Sequence, residues 1–162
     1  MRKILTFVFA FCMISMISEA TLQRGSVGHL GERRYTFVAD FSGTVLLHLI
    51  YDNNNSDLDL QLGYTDSNGD IQLVALSEST LRNFEQMEVG VLGNEEYNIF
   101  VVSARGPSPY RLNFDGTFTT TAAAGAAGKI SPIQLKEAPL DAASMRFLEK
   151  MKKRQAEMKG KQ

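Results

Sequence analysis

The chain has 162 residues, of which 44% are hydrophobic and 22% are charged, and its formal net charge at pH 7 is −1. This is the composition of an ordinary globular domain and not that of a disordered or fibrous protein. Tryptophan is absent, histidine occurs twice and cysteine once. These counts exclude a disulfide framework, a metal site built from several cysteines and a redox pair of cysteines.

Residues 1–20 have the pattern of a secretory signal peptide. Two cations precede an almost wholly apolar run, Ile4–Ile17, which is shorter than the ~20 residues that a membrane-spanning helix needs. Small side chains at Ser18 and Ala20 predict cleavage before Thr21, which would remove Cys12 from the mature protein. We therefore expect a secreted or periplasmic protein, with an uncleaved N-terminal anchor as the alternative.

Charge divides the rest of the chain into an acidic and a basic part. Residues 21–118 contain six arginines, no lysine and 13 acidic residues, a formal charge of −7. Residues 119–162 contain seven lysines, two arginines and four acidic residues, a formal charge of +5. A run of small residues, Thr119–Gly128, begins at this boundary. We predict a domain at residues 21–118, a flexible linker at 119–138 and a basic helical tail at 139–162.

Within the acidic part, apolar and polar residues alternate in short segments separated by Gly, Asn, Asp or Pro. A period of two that is interrupted every 8–12 residues or so is typical of antiparallel sandwiches. The predicted strands contain Tyr35–Ala39, Val45–Tyr51, Asp57–Tyr64, Ile71–Ala75, Phe84–Val89, Tyr97–Val102 and Tyr110–Phe114. No helical pattern interrupts them, so we predict an all-β fold, an antiparallel β-sandwich or jelly roll of about seven or eight strands.

The segment that starts at Asp57 has the clearest alternation. Its leucines, Leu58, Leu60 and Leu62, share one face of the predicted strand and are expected to enter the core. Its polar residues, Asp57, Asp59 and Gln61, share the other face, which we expect to be solvated.

Several short motifs follow one another between residues 25 and 114. They are Tyr35-x-Phe37, Gly43-Thr44, Asp57-Leu58-Asp59-Leu60, Asn68-Gly69, Glu85, Tyr97 with Val101-Val102, and Tyr110-x-Leu112. In this order they resemble the bacterial pre-peptidase C-terminal domain family. Two positions depart from that family's pattern. Arg33 and Arg34 replace an acidic-aromatic pair, and Asn94-Glu95-Glu96-Tyr97 stands where the family has Gly-Thr-Tyr-Tyr.

The resemblance implies a small β-sandwich that accompanies secreted hydrolases, often peptidases, and that is itself non-catalytic. We therefore expect an exported binding or accessory module that recognises a protein or polysaccharide surface. A helper or inhibitor of a separately encoded secreted peptidase is the alternative. A small hydrolase that uses Asp57 and Asp59 as a carboxylate pair is a weaker third hypothesis.

Five aspartates bracket two predicted loops. They are Asp52, Asp57, Asp59, Asp66 and Asp70. Oxygen-rich loops can supply the six to eight ligands that calcium takes, although this spacing matches no EF-hand. The resemblance also leaves calcium open, since collagen-binding relatives of the fold bind it. Aspartates form turns and protect sheet edges as well. We therefore predict no cofactor, with calcium as the one candidate metal.

The sequence contains no motif for nucleophilic catalysis or phosphate binding. There is no Gly-x-Ser-x-Gly, no cysteine after residue 20, and no glycine spacing of a phosphate-binding loop. The two histidines, His29 and His48, are isolated from each other in the sequence and form no metal-binding pattern. We therefore predict that the protein is not an enzyme.

The basic tail is predicted to contain one amphipathic helix. Asp141 is a typical helix start, Gly160 a typical end, and the residues between them are good helix formers. Apolar and small residues gather on one side: Leu140, Ser144, Phe147, Leu148, Met151 and Met158. The candidate interaction residues are Phe147, Met151, Lys150, Lys152, Lys153 and Arg154.

This apolar stripe is compatible with several placements of the helix. It could dock on the sandwich, bind a partner protein, lie on an anionic membrane surface, or remain a solvated helix. Nucleic acid is disfavoured, because Phe147 is the one aromatic residue in the helix that could stack on a base. If the tail is a charged arm, deletion of Met145–Gln162 should abolish a salt-sensitive association and leave the stability of the sandwich unchanged.

Overall fold

The computed structural model describes residues 14–17, 21–40, 42–77, 83–120 and 134–159. These residues form ten strands and one helix. The strands are β1 (Ile14–Ile17), β2 (Thr21–Val27), β3 (Glu32–Ala39), β4 (Gly43–Tyr51), β5 (Asp57–Thr65), β6 (Ile71–Ser77), β7 (Phe84–Val91), β8 (Glu95–Arg105), β9 (Ser108–Thr120) and β10 (Lys136–Ala138), and the helix is α1 (Ala142–Lys159). The predicted β-sandwich with a C-terminal helix is confirmed.

The strands form two five-stranded antiparallel sheets. Sheet A has the order β1-β9-β4-β7, with β2 also paired to β9, and sheet B has the order β10-β3-β8-β5-β6. In sheet A, β1 and β2 pair with successive parts of β9, residues 117–120 and 108–114. The central strands β4 and β9 pair over nine residues, from Gly43 opposite Phe118 to Tyr51 opposite Tyr110.

The main hydrophobic core lies between the two sheets and consists of the predicted inward positions. The fully buried side chains of the central strands are Val45, Leu47, Leu49, Leu58, Leu60, Leu62, Ile99, Val101, Leu112 and Phe114. Each of these alternates along its strand with a residue on the outer face, as the period of two requires. The three leucines of β5 enter the core as predicted.

A pair of buried tyrosines joins the two sheets beside β2. The hydroxyl groups of Tyr35 and Tyr110 are hydrogen-bonded at 2.6 Å. Burial raises the pKa of both groups above the ordinary value for tyrosine, so both remain neutral. A Cβ atom on Gly25 would lie 2.5 Å from the Tyr110 hydroxyl oxygen, so only glycine lets β2 pass this close.

A second, smaller core forms where α1 covers the outer face of sheet B. Phe147, Leu148 and Met151 are buried against Phe100 and its neighbours Ile71 and Val102. The rings of Phe147 and Phe100 stack with their centroids 5.0 Å apart. Of the placements that the sequence left open, the structure has the helix docked on its own sandwich.

The predicted linker is shorter than expected at both ends. Thr119 and Thr120 belong to β9, and β10 pairs with β3 within residues 136–138. Leu135 is buried in the main core, and its carbonyl oxygen accepts a hydrogen bond from the Gln23 side chain. Three residues of strand and one buried leucine are too few to produce a visible alternation. Residues 121–133 of the predicted linker lie outside the described residues.

Most of the predicted signal peptide lies outside the described residues, including Cys12 and the predicted cleavage site. The exception is β1, whose backbone pairs with residues 117–120 of β9. In the described part of the chain, no helix has the length and apolar character needed to cross a bilayer.

Candidate interaction groove

The five aspartates predicted as calcium ligands are not brought together. Asp57 begins β5 and Asp66 follows its last residue, and a strand of nine residues is roughly 30 Å long. Asp52 therefore lies near one end of the sandwich, and Asp66 and Asp70 lie near the other. Among the residues that the structure describes, no three Asp, Glu, His or Cys side chains are placed to hold a metal ion.

Asp66 closes the turn between β5 and β6. Its carboxylate accepts hydrogen bonds from the Gln72 side chain at 2.8 Å and from the backbone N–H groups of Asp70 and Asn68 at 3.0 and 2.9 Å. The bond from Gln72, followed by the bond from Asp70, lowers the pKa of Asp66. This carboxylate has the role of a turn residue.

Asp59 lies beneath α1, because the helix covers the outer face of β5. Asp59 is 6% exposed, and its carboxylate accepts a hydrogen bond from the Gln155 side chain at 3.2 Å. Gln61 on the same strand is also buried. The expectation that the polar face of β5 is solvated is therefore wrong, and Asp59 is not presented to a substrate on an open face.

The two histidines lie in separate parts of the sandwich. His29, in the turn between β2 and β3, accepts a hydrogen bond from the backbone N–H of Gly106 at 3.3 Å. His48 lies in the middle of β4, with its ring centroid 5.6 Å from that of Phe84. Each histidine therefore contacts its local neighbours and not a shared site.

Four ion pairs join the basic C-terminal segment to the acidic sandwich, one of them between Glu137 and Arg33 at 3.2 Å. Arg146 pairs with Asp70, and Lys152 pairs with Glu32, each at 2.6 Å. Near the start of α1, Asp141 pairs with Arg34 of β3 at 2.6 Å. In the Arg146–Asp70 and Lys152–Glu32 pairs the opposite charges of the two parts of the sequence meet, and part of the positive charge of the helix is neutralised there.

Arg34 fastens the start of α1 to sheet B. Its guanidinium group is buried and donates to the Asn98 side chain at 2.9 Å, to the carbonyl of Pro139 at 3.0 Å and to Asp141. Asn98 in turn donates to the Thr65 hydroxyl at 2.9 Å. This network spans β3, β8 and β5 and satisfies the buried polar groups beneath the helix N-terminus.

Asp141 is the N-cap of α1. Its carboxylate accepts hydrogen bonds from both the backbone N–H and the hydroxyl of Ser144 at 2.8 Å. Burial opposes ionisation and is the largest single influence on its pKa. The bonds from Ser144 and Arg34 together outweigh burial and lower the pKa to about 2. The sequence-predicted helix start is thus confirmed, with the geometry of a capped N-terminus.

Two of the predicted interaction residues, Phe147 and Met151, are used within the molecule. Both are almost completely buried against sheet B, and Lys152 is paired with Glu32. Phe147 and Met151 are therefore docking residues of α1, and only their edges reach the surface. Lys150, Lys153 and Arg154 are exposed, and the structure places them on the side of the helix that faces β6.

A groove runs between α1 and β6, the edge strand of sheet B. It consists of two adjoining cavities of about 460 and 200 Å³, which share Gln72, Phe147 and Lys150. The groove is lined by Gln72, Leu73, Phe147, Met151, Lys150, Lys153, Arg154 and Glu157 in its larger part, and by Asp70, Ile71, Ala143 and Arg146 in its smaller part. We call this feature the α1–β6 groove.

The α1–β6 groove carries an excess of positive charge. In the described part of the chain, Lys150, Lys153 and Arg154 have no ion pair within 4.0 Å, whereas Arg146 is paired with Asp70. Glu157 is the remaining acidic residue of the lining. Lys150 and Arg154 are four residues apart on one side of the helix, a spacing at which like charges repel by about 0.2–0.5 kcal/mol.

No protein-family model matches the chain, and no curated protein matches it. Among solved structures, the chain is similar to the Yersinia pseudotuberculosis-derived mitogen, with a TM-score of 0.50 and 13% sequence identity. The similarity covers 72% of this chain and 95% of that chain. At this level of identity the likeness shows the fold alone, and it agrees with the β-sandwich described above.

Proposed function

We propose that the protein is an exported, non-catalytic binding module that recognises another protein through the α1–β6 groove. One observation carries this proposal: the docked helix leaves Lys150, Lys153 and Arg154 without ion pairs among the described residues, beside a preformed cleft with an apolar floor. Export is supported by the signal-peptide pattern of residues 1–20.

The resemblance to the pre-peptidase C-terminal domain family supports an accessory role, and its departures have a structural meaning. Arg33 and Arg34 stand where that family has an acidic-aromatic pair. In this chain Arg33 pairs with Glu137 at 3.2 Å and Arg34 pairs with Asp141. Both arginines thus hold the C-terminal segment that builds one wall of the groove.

A protein partner fits the groove better than a membrane or a neutral polysaccharide. An amphipathic helix binds a bilayer through its exposed apolar face, but Phe147, Leu148 and Met151 are buried against sheet B. The aromatic ring of the groove, Phe147, is stacked on Phe100 and is not exposed as a platform for a sugar. An apolar centre surrounded by a polar rim is a common form of a protein-recognition site.

Site-specific photocrosslinking tests this proposal directly. A photoreactive amino acid is placed at Glu157, which lines the groove, or at Glu88, an exposed residue of β7 in the other sheet, as the matched control. We expect a discrete adduct with one partner protein in the exported fraction from position 157 and none from position 88. The combined substitutions Lys150→Gln and Arg154→Gln should remove that adduct. Equal labelling from both positions, or no adduct from either, would overturn the proposal.

A further inference from the structure

The shape of the α1–β6 groove and the charge along its helical rim together define the kind of partner that it accepts. We infer that its occupant is an extended, acidic segment of a partner protein, about six or seven residues long, in which acidic and apolar residues alternate. This inference rests on the proposed function and specifies the chemistry of its ligand.

The length of the groove sets the length of the segment. Its lining runs along α1 from Ala143 to Glu157, and 14 helical steps of ~1.5 Å make it about 21 Å long. An extended chain advances ~3.3 Å per residue, so six or seven residues fill the groove. A compact ligand of one or two residues would contact only one of its two parts.

The rim of the groove sets the charge of the segment. Lys150, Lys153 and Arg154 lie along ~6 Å of helix axis and project from one side of α1. Acidic side chains on one face of an extended segment recur every ~6.6 Å, which matches the separation of Lys150 and Arg154, so two successive acidic residues can face this rim. An acidic ligand would also relieve the repulsion between Lys150 and Arg154.

The floor of the groove determines the residues that alternate with the acidic ones in the bound segment. Leu73, which is partly exposed, lines the larger cavity between the charged helix rim and β6, together with the edges of Phe147 and Met151, which are 3% and 2% exposed. A segment whose acidic side chains face the helix turns its intervening side chains away from the rim. Apolar residues at these alternate positions can then cover the floor.

Recognition through side chains is favoured over the addition of a regular strand to β6. Leu62 pairs with Ala75 and Gly63 pairs with Leu73, so Val74 is an extra residue in β6 without a partner in β5. A bulge of this kind at a sheet edge disturbs the row of backbone groups that another strand would need. The charged rim and apolar floor therefore provide the binding energy.

The acidic surface of the sandwich restricts the binding of an acidic segment to the α1–β6 groove. Residues 21–118 carry a formal charge of −7, which repels an anionic ligand from most of the molecule. The paired cations Arg146 and Lys152 are already neutralised by Asp70 and Glu32. The helical rim of the groove is thus the part of α1 that attracts the ligand.

A peptide titration followed by ¹⁵N–¹H NMR tests this inference. The probe is a capped heptapeptide of sequence Glu-Val-Glu-Val-Glu-Val-Glu, and the control peptide has glutamine in place of each glutamate. We expect the acidic peptide to shift the amide signals of Gln72, Leu73 and residues 150–157, with an affinity that falls at least about five-fold between low and physiological salt. The glutamine peptide should produce no saturable shift.

Two matched pairs of substitutions test which cations contribute to peptide binding. The pair Lys150→Gln and Arg154→Gln should weaken peptide binding about ten-fold, since it removes two rim charges. The control pair Arg24→Gln and Arg105→Gln removes two exposed arginines elsewhere on the sandwich and should change the affinity less than about two-fold. Equal losses in both pairs would show general charge attraction and overturn the inference.

Two further outcomes separate this inference from the proposed function. If position 157 crosslinks to a partner but the acidic peptide does not bind, the binding module stands and the acidic segment is wrong. If neither occurs, both fail. If the protein binds vesicles of phosphatidylserine and phosphatidylcholine through Lys150 and Arg154 and does not bind the peptide, the ligand of the groove is a lipid surface and the inference is overturned.

Discussion

Arg33 and Arg34 are adjacent in the chain, but their guanidinium groups lie in different environments. Arg34 is buried and bonded to Asn98 and Asp141, whereas Arg33 and its partner Glu137 are both largely exposed. We expect Arg34→Ala to lower the free energy of unfolding by about 3 kcal/mol, because the buried Asn98 side chain loses its donor and the bonds to Pro139 and Asp141 are lost. Arg33→Ala should cost less than about 1 kcal/mol. Urea unfolding measures both, and equal losses would contradict the buried network.

Gly25 of β2 and Gly28 of the turn after it differ in what surrounds their Cα atoms. A Cβ on Gly25 would meet the hydroxyl oxygens of Tyr110 and Tyr35 at 2.5 and 2.9 Å, whereas a Cβ on Gly28 would meet nothing within 4 Å. We expect Gly25→Ala to destabilise the protein by about 2 kcal/mol or more and Gly28→Ala to change stability by about 0.5 kcal/mol or less. Similar melting temperatures for the two variants would contradict the tyrosine contact across β2.

The capping carboxylate of Asp141 should make the stability of the protein depend on pH in the acidic range. Its pKa is about 2 in the folded protein, below the ordinary value of 3.8, so its stabilisation is complete above about pH 4 and is lost as the pH falls toward 2. Asparagine at this position can still cap the helix but cannot titrate. The difference in Tm between wild type and Asp141→Asn should therefore be larger at pH 5 than at pH 2.5 in calorimetry. A constant difference would contradict this assignment.

An aromatic contact between Phe147 and Phe100 is part of the docking of α1 on sheet B. Phe147 is 3% exposed and stacks on Phe100, whereas Met145 on the outer side of the helix is 53% exposed. We expect Phe147→Ala to cost about 3–4 kcal/mol and Met145→Ala less than about 0.5 kcal/mol. Circular dichroism and tyrosine fluorescence should report one coincident transition in each variant. A separate early loss of helix without loss of the sandwich would contradict the docked arrangement.

The contact between Phe147 and Phe100 changes the expected effect of deleting Met145–Gln162. Such a deletion removes Phe147, Leu148 and Met151 and exposes the apolar outer face of sheet B. The sequence-based expectation of an unchanged sandwich therefore does not fit the structure. Substitutions of exposed rim residues are the cleaner test of binding.

Strands and helices could be predicted where the residue pattern of a single segment determines its structure. The central strands could be predicted because their inward positions are uniformly apolar, and α1 because Asp141 and Gly160 mark its ends. β2 could not be predicted, since its inward positions include Gln23 and Gly25, whose roles depend on Leu135 and on the two tyrosines. These partners are distant in the sequence.

One feature of the sequence indicates where the helix docks. Ile99, Phe100, Val101 and Val102 are apolar at four successive positions, which is typical of a strand that is buried on both faces. Phe100 and Val102 indeed lie beneath α1, and Ile99 and Val101 lie in the main core. The run indicates that the outer face of this strand is covered, but it does not identify the covering element.

Across the whole molecule, the charges of the two halves of the chain have two roles. Ion pairs such as Arg146–Asp70 and Lys152–Glu32 accompany the docking of α1, and the remaining cations form the rim of the groove. The predicted cations of the tail, Lys150, Lys152, Lys153 and Arg154, are exposed in the structure, and their role in binding stays a prediction. The sequence could not predict the groove, because β6 and α1 are about 70 residues apart in the chain and meet only in the folded protein.

The burial of α1 against sheet B implies that sandwich and helix fold as one unit, so that the groove is a permanent feature of the molecule. Native-state hydrogen exchange tests it most directly. We expect the amides of Phe147–Met151 to open with a free energy within about 1 kcal/mol of that for Leu60 and Val101 in the central strands. Exchange of the helix amides near the rate of an isolated peptide, with the strands still protected, would contradict it.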